Sequence, residues 1–66
     1  MITIQINGEE KEVQNGSVAE LLADLSLPIR KIAVERNLEI VPRSAFATTV
    51  IAPGDRIEIV QFVGGG

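Results

Sequence analysis

The stretch Ile2-Thr3-Ile4-Gln5-Ile6-Asn7-Gly8 sets isoleucine at every second position and then stops on a dipeptide suited to a tight reversal. Successive side chains of an extended strand point to opposite faces, so Ile2, Ile4 and Ile6 share one apolar face. Asn-Gly tolerates the two positive φ angles of a type I′ turn, which predicts that Glu9 to Gln14 returns antiparallel. The return strand is polar apart from Val13, as expected of an outer strand whose charges, such as Glu10 and Glu12, discourage edge pairing.

Outward from this hairpin, Asn15-Gly16 breaks the strand and Ser17-Val18-Ala19-Glu20 matches a capping box, in which Ser hydroxyl and Glu carboxylate each satisfy an orphan backbone donor. Val18, Leu21, Leu22 and Leu25 follow at i, i+3, i+4 and i+7, a single apolar stripe able to cover the hairpin's inner face. Pro28 limits the helix, which is predicted over Val18 to Ser26. Ile32 to Arg36 and Glu39 to Val41 read as short strands around an Asn37-Leu38 turn, and Pro42 stops the second. Arg43 to Thr49 has no clear period, with Ser44 as a candidate cap for one helical turn through Ala45, Phe46 and Ala47. Pro53-Gly54-Asp55 is a turn that Asp55 is expected to stabilise, and Arg56 to Val63 is the last strand. The element order predicts an α+β domain, one sheet of about four to five strands packed on one main helix.

The chain of 66 residues has room for one core, since a domain of this size buries only about 60% of its unfolded surface. It contains no Cys and no His, which excludes zinc fingers, iron-sulfur clusters, thiol nucleophiles, disulfides and imidazole bases. No carboxylate pair has a spacing that calls for acid-base or metal chemistry, so no bound metal or cofactor is expected. Nine acidic against six basic residues give a net charge of −3, and Phe46 and Phe62 are the only aromatics. This balance argues against a nucleic-acid binder. Apolar runs are short and the N-terminus has no leader-like pattern, so the expectation is a soluble cytoplasmic protein with no membrane association.

Half of the six glycines are Gly64, Gly65 and Gly66, directly after the most regular strand. A frayed end or an expression remnant is the plain explanation. Against it, such remnants carry Ser, His or protease-site residues, and glycine has the largest backbone entropy to lose on ordering. Residues 1–63 then form the single domain and 64–66 a flexible tail. Without Cβ, such a tail has the smallest cross-section a peptide offers, and at full extension it reaches roughly 10 Å. That length suffices to carry the Gly66 carboxylate into a partner's active site.

Several segments, in this order and spacing, resemble the ThiS family of sulfur carriers of thiamine biosynthesis. They are the N-terminal strand with its Asn-Gly hairpin, Ser17-Val18-Ala19-Glu20-Leu21-Leu22, Ala33-Val34-Glu35-Arg36-Asn37, Ile40-Val41-Pro42-Arg43, Gly54-Asp55-Arg56-Ile57 and the glycine terminus. The likeness spans essentially the whole chain and departs from the family in Gly64, a third glycine before the functional pair Gly65 and Gly66. The resemblance implies a ubiquitin-like β-grasp fold and a protein that is not itself an enzyme. A ThiF-type adenylyltransferase would use ATP to adenylate Gly66. Sulfur from a sulfur-donor protein would convert it to a thiocarboxylate, and a ThiG-type thiazole synthase would receive that sulfur. A small subunit of molybdopterin synthase, or another ubiquitin-like carrier or modifier, is the alternative within this fold. A non-covalent β-grasp binding module is the alternative outside carrier chemistry.

Alternation in the last strand puts Ile57 and Ile59 toward the helix and Glu58, Val60 and Phe62 on the other face. There Val60 and Phe62, with Glu58 beside them, are candidates for partner docking. The competing expectation is that Phe62 packs internally against Ile4 or the Phe46 region. Arg43 is a candidate to pair with acidic partner residues, although exposed charge pairs contribute little. The free protein is expected to be a monomer.

Overall fold

Five strands and one main helix form the architecture of the computed structural model, which describes residues 1–62. Strand β1 (Ile2–Ile6) and strand β2 (Glu9–Val13) pair antiparallel in the register Ile2 to Val13 through Ile6 to Glu9. Asn7 and Gly8 at the reversal adopt φ of 50° and 84°, as the Asn-Gly reading requires. Strands β3 (Ile32–Arg36) and β4 (Glu39–Val41) pair antiparallel around Asn37 and Leu38, which also have positive φ. Strand β5 (Arg56–Gln61) lies antiparallel to β3 and parallel to β1, giving the sheet order β2-β1-β5-β3-β4. The polar β2 therefore occupies an edge.

Helix α1 (Val18–Asp24) opens with the predicted capping box: the Glu20 N–H donates to Ser17 Oγ at 3.1 Å and the Ser17 N–H to Glu20 Oε1 at 2.9 Å. Gly16 makes room for it, because a Cβ there would come 2.7 Å from Glu20 Oε1. Val18, Leu21 and Leu22 pack onto Ile4, Val34 and Ile57 from the sheet, with Phe46 and Ile51 closing the core.

Three local expectations need correction. The helix stops before Ser26, which turns left-handed at φ 58°; the Ser26 N–H bonds Ala23 O and the Leu27 N–H bonds Leu22 O, a Schellman closure. Leu25, placed by periodicity in the buried stripe, consequently sits at the C-cap and is 41% exposed. Ser44 caps nothing: the 3-10 turn Arg43–Ala45 is entered from Pro42 with no side-chain cap. Strand ends also shorten, β2 to Val13 and β5 to Gln61. Val63 and the domain boundary drawn between it and Gly64 lie outside the described residues, as do Gly65 and Gly66.

Candidate functional site

Strand β5 is the central element of the site because it sits in mid-sheet and leads to the glycines. Its start is anchored by the Pro53-Gly54 turn, in which Gly54 takes φ 83° and the Asp55 N–H donates to Ala52 O at 3.1 Å. Asp55 is buried. Its carboxylate accepts from the Ala52 N–H at 2.8 Å, from Arg36 Nε at 2.7 Å and from Asn37 Nδ2 at 3.1 Å. Burial by itself pushes this carboxyl up, yet the Ala52 amide, the Asn37 amide and the Arg36 guanidinium together hold it below the ordinary carboxylate range. Asp55 thus has the structural role expected of it, fastening the loop before β5 to the β3-β4 turn.

Along β5 the alternation falls as predicted. Ile57 is fully buried and Ile59 packs against the core, while Glu58 is exposed and Val60 and Phe62 expose 58% and 53% of their surface. Phe62 is not part of the core, and the buried aromatic is Phe46. The sheet face opposite the helix continues from Val60 to Ala33, its partner on β3, and Glu58 lies opposite Glu35, which in turn pairs with Ile40 on β4. Ala33, Glu35, Ile40, Glu58 and Val60 line a shallow hollow, and Ile40 is 76% exposed. Sequence reading missed Ile40 as part of this surface, although its alternation with buried Val41 was a usable signal.

Arg43 is not part of that hollow. Its Nη2 donates to Arg30 O at 3.0 Å, holding it against the 3-10 turn Ile29–Lys31, whose Lys31 carbonyl accepts the Phe62 N–H at 2.7 Å. Among the described residues no cluster of three or more His, Cys, Asp or Glu is placed to hold a metal, and no helix is long and apolar enough to cross a membrane. The predicted acceptor group, the Gly66 carboxylate with Gly64 and Gly65 before it, lies outside the described residues.

A five-stranded mixed sheet closed by parallel first and last strands, with one helix across it, defines a ubiquitin-like β-grasp domain. The crystal structure of a thiamine biosynthesis protein, ThiS, from Geobacter metallireducens superposes with a TM-score of 0.85 at 33% identity, covering 98% of this chain and all of that one. The ThiS family model matches residues 4–66, and the chain belongs to the ThiS family. The sulfur carrier protein ThiS of Bacillus subtilis is 37% identical over 65 residues, with 96% of this chain and 98% of that one covered. A thiazole synthase of Paramagnetospirillum magneticum is 52% identical over 62 residues. The chain spans about a fifth of the length of such thiazole synthases, with coverage of 19% and 20% in two of them.

Proposed function

We propose that this chain is a sulfur carrier whose reactive group is the main-chain carboxylate of Gly66. The single observation that carries the reading is the placement of β5: the strand leading to the glycines exposes Val60, which shares a hollow with Ile40 on the open sheet face, and then Phe62. A partner gripping that face has the chain end close at hand. In the first step the Gly66 carboxylate attacks the α-phosphorus of ATP and pyrophosphate leaves, giving an acyl-adenylate. Hydrosulfide supplied by a sulfur-donor protein then attacks the acyl carbon, the acyl C–O bond to AMP breaks, AMP departs with that oxygen, and a thiocarboxylate remains. The chain itself supplies no acid, base or metal to these steps. Electrostatic stabilisation and metal come from the adenylating partner, a ThiF-type enzyme.

A thiazole-forming enzyme of the ThiG type is the proposed sulfur acceptor, supported by thiazole synthases that contain a segment similar to this chain. Docking rests on Val60 and Phe62, with Glu58 at their border and Arg43 at the edge. Exchange of labelled pyrophosphate into ATP by a ThiF-type adenylyltransferase tests the proposal. Exchange must depend on the chain and vanish when Gly64 to Gly66 are deleted together. Chain-independent exchange, or full exchange without those three glycines, contradicts it.

A further inference from the structure

The main-chain ladder between β1 and β5 is short, with Gln5 opposite Arg56 and Ile6 opposite Ile57, followed by the Asn7 N–H donating to Ile57 O at 2.9 Å. There the backbone of β1 turns away, since Asn7 has φ 50° and begins the hairpin. Its side chain nevertheless continues the ladder. Asn7 Oδ1 accepts the Ile59 N–H at 2.8 Å and Asn7 Nδ2 donates to Ile59 O at 3.2 Å. A primary amide carries the donor and acceptor of a peptide unit, so the side chain stands where the next peptide of β1 would be.

Beyond Ile59, the bonds to β5 among the described residues come from the β3 side, through the pairing of Val60 with Ala33 and Gln61 with Ile32 and through the Phe62 N–H to Lys31 O. Asn7 is therefore the last hold on β5 from β1, one residue before Val60. At the other end of the strand Asn37 makes a comparable clamp, its Oδ1 accepting the Arg56 N–H at 2.9 Å and its Nδ2 donating to Asp55. The two asparagines thus grip opposite ends of one strand, and only Asn7 grips the end that exposes Val60 and Phe62.

We infer that Asn7 is a positioning residue for partner engagement, fixing the docking half of β5 through the Ile59 peptide; the inference rests on the carrier reading. Without the clamp, the one-sided hold that residues 60–62 have in any case reaches back to Ile59, and a partner must order more of the strand as it binds. The cost falls on association rather than on the chemical step, because the Gly66 carboxylate is separated from Ile59 by several residues, three of them glycine.

The test is pyrophosphate exchange with a ThiF-type adenylyltransferase as the carrier concentration is varied, at a temperature where every variant is folded. Asn7→Gly keeps a residue suited to positive φ and removes the amide, Asn7→Asp keeps the acceptor and removes the donor, and Asn37→Gly releases the far end. Asn7→Gly is expected to raise KM about three- to tenfold with kcat within about twofold, the factor that one or two net hydrogen bonds contribute. Asn7→Asp falls between, and Asn37→Gly lowers thermal stability with KM unchanged. Amide exchange at Ile59 and Val60 accelerates in Asn7→Gly. Unchanged KM in Asn7→Gly, or an equal rise in Asn37→Gly, overturns the inference and leaves the carrier reading standing. If the wild-type chain supports no exchange, both fall. If Asn7→Gly does not fold, Asn7→Asp with KM equal to wild type, or an Ile59 amide unprotected in the wild type, overturns the inference.

Discussion

Asp55 is the residue on which the base of β5 depends, and its protonation sets a pH dependence. The folded state holds the Asp55 proton less tightly than the unfolded chain does. The unfolded state therefore binds more protons in acid, and the contribution is complete above the ordinary Asp range and lost as pH falls through the depressed folded value. Asp55→Asn should destabilise by about 1–3 kcal/mol, because an Asn amide turned toward Ala52 or Arg36 sets donor against donor. It should also flatten the acid limb of stability measured by urea unfolding from pH 7 to pH 3. Leu38 makes the opposite prediction. It holds φ 72° with its side chain 72% exposed, so Leu38→Gly relieves backbone strain without removing core contacts. A gain of up to about 1 kcal/mol in thermal unfolding is expected. Phe62→Ala leaves the core untouched, so its melting temperature should stay within a few degrees of wild type while binding to the adenylyltransferase weakens by about tenfold or more. A folded variant that binds normally removes Phe62 from the docking surface.

Among the elements, α1 shows how far local pattern reaches. The capping box was legible because it needs only Ser17 and Glu20 three residues apart, and Ser17→Ala is expected to cost about 1 kcal/mol in thermal unfolding. The helix end was not legible from periodicity: Leu25 continues the stripe, but Ser26 adopts the left-handed angle that closes the helix, a conformation more typical of glycine. Ser44 misled for a related reason, since Pro42 fixes the entry to that turn and makes a side-chain cap unnecessary. Pairing between strands is a further level. Register sets Glu35 directly opposite Glu58 on the open face, a like-charge pair that opposes sheet stability. Glu58→Gln should raise the melting temperature and reduce its dependence on salt. A fall in melting temperature would show that the pair is not repulsive.

At the scale of the whole molecule, the strand assignments and the α+β class were readable because alternation and turn chemistry are local properties. The joining of Asn7 to Ile59 and of Asp55 to Arg36 and Asn37 was not, because those bonds exist only after the first and last strands meet in parallel. The exposure of Phe62 was likewise undecided by alternation, which assigns a face but not what covers it. The sequence has no Cys and no His, and the proposed function accordingly assigns the sulfur chemistry to the main-chain carboxylate of Gly66, beyond the exposed face of β5. The most direct measurement is the intact mass of the chain produced in cells together with its adenylating and sulfur-donating partners. A fraction bearing one sulfur in place of one oxygen at Gly66, absent when Gly64 to Gly66 are deleted together, is the expected result. A mass that stays unmodified in the presence of active partners and ATP contradicts the account.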